Sequence, residues 1–554
     1  MNRRNFISTS TGVALAVATP ERRGRLGGAV SGVATARATP VLRDARVKAL
    51  ALRAVDAAQR AGAHYADVRM TYSITELNTV TLGLSVRALV DGYWGWAARP
   101  DLTEDAGPWA AREAVRLAKY NATNGQPRQV DLGTIPVVQD GVWTTPIQID
   151  PFEVALEEIY DWQEGLKGYI QDLAGSRGDL QTSTAGGGTG SNLGPPSRKQ
   201  ERVFASTEGS YLTQTVYTTN AECRFRYRGL EGDIRLHGEA QAGWEYVINQ
   251  PWEELIRQEM DRIDDEIARY GKLPHRPLSI DRYDIVCPAE LMADLLNATL
   301  GYATELDRAL MYEAEASGTS YLGPDPFTYL GTAVASPLVT VTADRSTPQG
   351  LATVQWDDDG VVPEDFTLVK DGVLVDYQTT REQAAWLALW YQRRGKPIRS
   401  HGCAAASDAL NPSMQHQPNL TLQPGKEDLG LEDLVAGLEH GLVITDYPRV
   451  GVDFQHLNGE IYQDSSGFHA FEVRRGKRVA RVGLGMQMMF RAPELWKGIL
   501  AIGGPKSVER GFTGESKKGE EVLFSGESRI TIYSIAAVPA AIRQVAVVNL
   551  PRTR

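Results

Sequence analysis

Few of the side chains in this 554-residue sequence that could bind a metal or move a proton are grouped closely enough to act together. The eight histidines, at 64, 237, 275, 401, 416, 440, 456 and 469, are scattered. Only Asp453-Phe454-Gln455-His456, with Glu460 four residues on, resembles a set of metal donors, and a surface strand or turn is the better account of that spacing. Asp357-Asp358-Asp359-Gly360 lacks the spaced donors and closing glutamate of a calcium loop, so its Asp-Gly between alternating apolar runs reads as a hairpin. Glu305, Asp307 and Arg308 are close enough for acid/base chemistry, although paired charges at a helix end commonly fix geometry alone. Tyr302 and Tyr312 add two phenols to the same segment, and Glu313 and Glu315 would point apart on a helix but share a face on a strand. No HExxH, inverted zincin, GxSxG or Walker motif occurs, nor a GxGxxG after a strand.

The elements that must position these residues are readable from periodicity. Val41 to Gly62 has apolar residues at helical spacing and a glycine stop. Ala66 to Val80 and Leu82 to Trp96 alternate, with Asp91-Gly92 as a turn signal, and Trp109 to Ala122 and Pro151 to Leu173 return to a helical period. The tract 175–196 is too rich in Gly, Ser and Thr to offset its ordering entropy and reads as a flexible insertion. Strands are expected over Arg202 to Arg228 and a helix over Pro251 to Tyr270, with Leu273 to Pro277 as a connection. Ile285 to Pro288 is a short strand, and Ala289 to Leu300 is a helix with Leu291, Met292, Leu295, Leu296 and Leu300 on a wide apolar face. Beyond it, short strands bounded by Gly, Pro and Asp-Gly dominate.

Length predicts about two to four domains, and two large ones are the simplest division. With 42% hydrophobic and 23% charged residues the bulk of the chain should fold. A net charge of −11 without a basic stripe argues against nucleic-acid binding. Cys223, Cys287 and Cys403 are too few and too far apart for a disulfide framework, and no apolar run is long enough to span a membrane. Asn2-Arg3-Arg4-Asn5-Phe6-Ile7 has the form of a twin-arginine export signal within a leader over 1–38, and cleavage after Ala18 or Ala38 would fit. A periplasmic or extracellular location is therefore expected.

From Leu295 onward, Thr304-Glu305-Leu306-Asp307-Arg308-Ala309-Leu310 and Gly318-Thr319-Ser320 form a pattern that resembles the zinc-binding segment of the TldD/PmbA metallopeptidase family. Further matches follow in order at Ala343-Asp344-Arg345, Gly350 to Val354, Asp357 to Val361, Val369 to Val375, Gln378 to Glu382 and Met414 to Leu422, with looser likeness around Val86 to Gly95. The resemblance implies an α+β chain with a mixed α/β N-terminal domain, here 41–272, and a β-rich C-terminal domain, here 277–554. It also implies subunits paired as a homodimer or heterodimer around a chamber reached by unstructured peptide.

The family's His-Glu-x-x-x-His falls on Asn297, Ala298 and Tyr302, so both histidines and the catalytic glutamate are replaced. A catalytic zinc needs about three protein donors and a base for its water, and a methyl group at 298 supplies neither. The family's late cysteine ligand is absent as well, because the last cysteine is Cys403. The expectation is a zinc-free subunit, inactive alone as a peptidase, that binds no metal and holds peptide beside a metal-complete partner. Two alternatives stand: an enzyme with new chemistry in the old cleft, drawing on Glu305, Asp307, Arg308, Tyr302 or Tyr312, or an exported binding or assembly protein.

Overall fold

A computed structural model describes residues 42–75, 80–125, 130–179, 183–184, 197–314, 316–445, 449–462, 470–482, 486–518 and 530–549. The leader and most of the tract 175–196 lie outside the described residues, as do Glu315 and His469.

Helix α1 (Ala45–Ala61) starts where the Asp44 carboxylate accepts the Arg46 N–H, and it stops at Gly62, left-handed at φ 103°. Its Val47, Leu50, Ala54 and Ala58 are buried. Strands β1 (Tyr65–Thr75), β2 (Val80–Val90) and β3 (Tyr93–Arg99) follow as an antiparallel run. Asp91 and Gly92 turn β2 into β3 with φ of 49° and 80°, as the Asp-Gly pair predicts. Helix α2 (Ala106–Asn124) lies directly on β3, so close that a Cβ on Gly95 would sit 2.0 Å from the Ala114 carbonyl oxygen. Only glycine permits that approach.

The sheet continues through β4 (Gly141–Thr144), β5 (Arg198–Ser206) and β6 (Tyr211–Tyr227) in the order β3-β2-β1-β5-β6-β4, and β7 (Leu230–Ala240) pairs with β6. Helices α3 (Leu156–Ser176) and α4 (Trp252–Tyr270) cover its far end around Phe225, Trp244, Ile256 and Met260.

Strand β8 (Asp281–Cys287) leads through Pro288 into α5 (Ala289–Leu295). Two sheets enclose this helix. One holds β8 between the parallel His440–Ile444 and the antiparallel Ala540–Asn549. The other holds Asn419–Leu422 beside Ile530–Ala537, which pairs in turn with Glu509–Lys517. A single core joins both sheets to α5 through Ile285, Leu291, Leu295, Leu300, Leu420 and Ile535. Each such buried side chain stabilises the fold by roughly 1.5–3 kcal/mol. Among the described residues no sheet crosses between 42–272 and 277–549, which gives the α+β architecture expected of the sequence. No helix among them is long and apolar enough to cross a membrane.

Three local expectations need correction. The helix over 289–300 is α-helical only to Leu295; Leu296–Gly301 winds as a π-helix. The Asp357 to Val361 turn is not a hairpin between strands. It is buried where the two halves of the chain meet, with Asp358 paired to Arg69 and Asp359 to Arg87. The turn at Asp453 to His456 joins two strands as expected, but His456 points inward and is buried.

Candidate functional site

The π-helical turn explains why residues five apart act together here. With i→i+5 bonding, positions 297 and 302 stack on one side, whereas in an α-helix they would diverge. Both face the strand pair Glu509–Lys517 and Ile530–Ala537. Tyr533 donates its hydroxyl to Asn297 Oδ1 at 2.5 Å, and the Tyr302 hydroxyl donates to the Glu515 carbonyl at 2.6 Å while accepting the Lys517 N–H at 3.1 Å. Burial raises the Tyr302 and Tyr533 phenols above their ordinary range, so both remain protonated donors.

A π turn also frees carbonyls that need partners. Gln378 Nε2 donates to the Gly301 oxygen at 2.8 Å, and His456 Nδ1 lies 2.9 Å from the Ala298 oxygen. Burial, then the Arg308 charge, lowers the His456 pKa to about 4. The ring is therefore neutral and Nδ1 carries the proton it donates. It stacks on Tyr302 with centroids 4.7 Å apart. A neutral histidine thus braces the turn instead of facing a ligand.

Glu305, Asp307 and Arg308 meet in the next turn as a buried ion cluster completed by Lys518. Arg308 Nε lies 2.9 Å from Glu305 Oε2, and Lys518 Nζ reaches Glu305 Oε2 at 2.7 Å and Asp307 Oδ1 at 2.9 Å. The turn is held there by Leu306 N–H donating to the Gln378 oxygen and by Asp307 N–H donating to Gln415 Oε1. Two carboxylates balance two cations, as burial requires. Burial raises the Asp307 carboxyl to about 6, partly offset by Lys518. Burial alone would lower the Arg308 pKa, but Glu305 and Asp307 carry it above its ordinary value.

These donors do not fit zinc. Asn297 and Tyr302 are committed to the facing strands, the Ala298 side chain has no lone pair, and two cations already neutralise the Glu305 and Asp307 carboxylates. The facing strand carries Ser516, not a thiol, and its hydroxyl contacts His416 Nδ1 at 3.1 Å. Among the described residues no three His, Cys, Asp or Glu side chains are grouped to hold a metal ion.

Asp307 and Tyr312 also line a cavity of about 450 Å³ between the N-terminal sheet and the C-terminal region. Its walls include Trp94 and Trp96 from β3, Arg87 from β2, and Glu382, Trp386 and Gln415 from the other side. Trp94 Nε1 donates to Glu382 Oε2 at 2.8 Å, Arg87 lies 4.4 Å over the Trp94 ring, and Tyr312 stacks on Trp386 at 5.3 Å. Tyr312 is thereby separated from Tyr302, whose hydroxyl faces the strands. Glu313 is buried and accepts from Ser317 Oγ at 2.6 Å.

Residue reading missed Lys518 and Tyr533, noted Gln378 only within a family match, and took His456 as a possible metal donor; each is distant in sequence from the helix it supports. Only His456 carried a signal, the Asp453 to His456 cluster, since Asp453 accepts from the N–H groups of Gln455 and Leu457 and so shapes the turn that aims the ring.

Residues 280–526 match the PmbA/TldA metallopeptidase C-terminal domain. A metalloprotease of Methanocaldococcus jannaschii is 21% identical over 399 residues, which cover 69% of this chain and 77% of that protein. A metalloprotease of Methanothermobacter thermautotrophicus is 26% identical over 274 residues, covering 50% and 53%. Among solved structures, TldE from Thermococcus kodakarensis aligns with a TM-score of 0.58 at 12% identity, over 90% of this chain and 100% of that one. A Thermotoga maritima protein, named a candidate modulator of a DNA gyrase, aligns with a TM-score of 0.57 at 14% identity over the same shares. The structural likeness bears on fold.

Proposed function

We propose that this chain is a zinc-free member of the metallopeptidase family whose C-terminal domain residues 280–526 match, and that it holds unstructured peptide and depends on a metal-complete partner for hydrolysis. The observation that carries this reading is Ala298 in the π turn, flanked by Asn297 and Tyr302 already bonded to the facing strands. No side chain there can take a proton from a metal-bound water. What such a chain retains is shape, with sheet edges able to hold an extended peptide by main-chain hydrogen bonds. Pairing of subunits, as a homodimer or as a heterodimer with a ligand-complete relative, belongs to the same proposal. So does export to the periplasm or cell exterior, supported by Arg3-Arg4 in the leader.

The test is elemental analysis and peptidase assay of the purified full chain after dialysis against zinc. One zinc per chain, or cleavage of an unstructured peptide by the chain alone, overturns the proposal.

A second reading, an enzyme with new chemistry in the old cleft, draws on Asp307. Tyr302 and Glu305 are enclosed by their partners, whereas Asp307 both touches Lys518 and lines the cavity. Activity lost in Asp307→Asn with folding intact would favour it.

A further inference from the structure

The cavity between the two halves of the chain has a charge and hydrogen-bond balance of its own. Arg87 is paired with Asp67 and Asp359, and Arg381 with Glu208, so neither wall arginine is left to attract an anion. Asp307 is matched by Lys518. Glu382 differs: it accepts a hydrogen bond from the neutral Trp94 indole, and no cation pairs with it among the described residues. Three aromatic side chains line the same cavity: Trp94, whose indole N–H meets Glu382, and Trp386, stacked with the exposed Tyr312. A carboxylate in an aromatic-lined cavity attracts a cation, which gains from Coulomb attraction and from any ring face left open to it.

A second observation points to the same cavity. Gln415 and Tyr65, both more than nine-tenths buried and both lining it, each have a donor atom with no partner, Nε2 and Oη. Buried donors left without acceptors are costly unless something supplies them. Peptide carbonyl oxygens are acceptors of this kind, and they accompany a basic side chain along an extended segment.

We propose that this cavity seats an unstructured peptide by a lysine or arginine residue, its charge held at Glu382 between Trp94, Trp386 and Tyr312, with main-chain carbonyls turned to Gln415 and Tyr65. The inference rests on the peptide-holding reading above and adds the class of side chain selected. The net charge of −11 favours the encounter with a basic segment and makes it salt-sensitive.

The test uses the full chain and two fluorescein-labelled peptides of about ten Gly, Ser and Ala residues, one with a central lysine and one with glutamine there, read by fluorescence anisotropy. The lysine peptide is expected to bind about tenfold more tightly. Glu382→Gln should reduce that preference to about twofold or less, with the glutamine peptide unaffected, and Trp386→Ala should act in the same direction. Equal binding of the two peptides overturns this inference and leaves the peptide-holding reading standing. Binding of neither overturns both, and a lysine preference that survives both substitutions places the cation elsewhere and overturns the assignment of this cavity.

Discussion

Arg308 holds its guanidinium 4.6 Å from the centre of the Tyr302 ring. The side chain standing where the family resemblance implies a zinc-binding histidine is thus covered by a fixed cation. The same guanidinium donates to the Lys517 carbonyl at 3.1 Å, so it ties the ring to the strand that also grips its hydroxyl. The turn from Asn297 to Tyr302 is thus an integrated structural element, bonded to the facing strands along its length.

Tyr302→Phe removes a buried hydroxyl that serves two backbone groups, leaving the Glu515 carbonyl and the Lys517 N–H without it. The expected cost is about 1–3 kcal/mol, set by the unsatisfied groups more than by the lost bond. Urea unfolding of the variant against the parent measures it, and a change within about 0.5 kcal/mol would show that water replaces the hydroxyl there.

Lys518→Met leaves Glu305 paired with Arg308 and leaves the Asp307 carboxylate without a paired cation among the described residues. Breaking a buried ion set on one side costs about 3–5 kcal/mol. Adding Asp307→Asn to Lys518→Met should recover part of that loss by removing the uncompensated charge. If the double variant is no more stable than Lys518→Met in a denaturant titration, the cluster is not the charge-balanced unit described here.

His401 is buried between two carboxylates, with Nδ1 2.9 Å from Glu364 and Nε2 3.3 Å from Asp376, and stacks on Phe366. Tyr391 donates to Asp376, and Arg399 pairs with Glu364. Burial alone would lower the His401 pKa, but the hydrogen bonds that the ring donates to Asp376 and Glu364 raise it above its ordinary value. The folded pKa therefore exceeds the unfolded value of about 6.5, so the stabilisation is fully present below about pH 6.5 and is lost as pH rises through the folded pKa. The stability difference between the parent and His401→Gln should be larger near pH 6 than near pH 9. A difference independent of pH would mean that the ring is neutral throughout.

Much of this architecture is legible in the residue pattern because periodicity, glycine stops and Asp-Gly turns are local signals. Gly62 ends α1 and Asp91-Gly92 turns β2 into β3 where the sequence places them. The change from α to π winding at Leu296 is not local in that sense. It depends on Gln378 and His456 donating hydrogen bonds to the freed carbonyls, and both come from elsewhere in the fold. Lys518 is hidden for the same reason, since a lysine beside a second lysine reads as a solvated pair until Glu305 and Asp307 are found around it. The cavity wall is likewise shared between residues as distant as Trp94 and Trp386.

Rebuilding the family motif should fail to restore a metal centre. In the triple variant Asn297→His, Ala298→Glu, Tyr302→His, the π turn would again present two imidazoles on one side with a carboxylate beside the first. The same change removes the two hydroxyl bonds of Tyr302, and it leaves Arg308 and Lys518 in place to oppose a divalent cation. A third strong donor is also missing, because the facing strand offers Ser516 where a thiolate would serve. The folded triple variant, checked by circular dichroism, is therefore expected to retain well under one zinc per chain after dialysis and to cleave no peptide. Retention of one equivalent would show that the histidine pair and carboxylate suffice, and that the cations around Glu305 yield to metal.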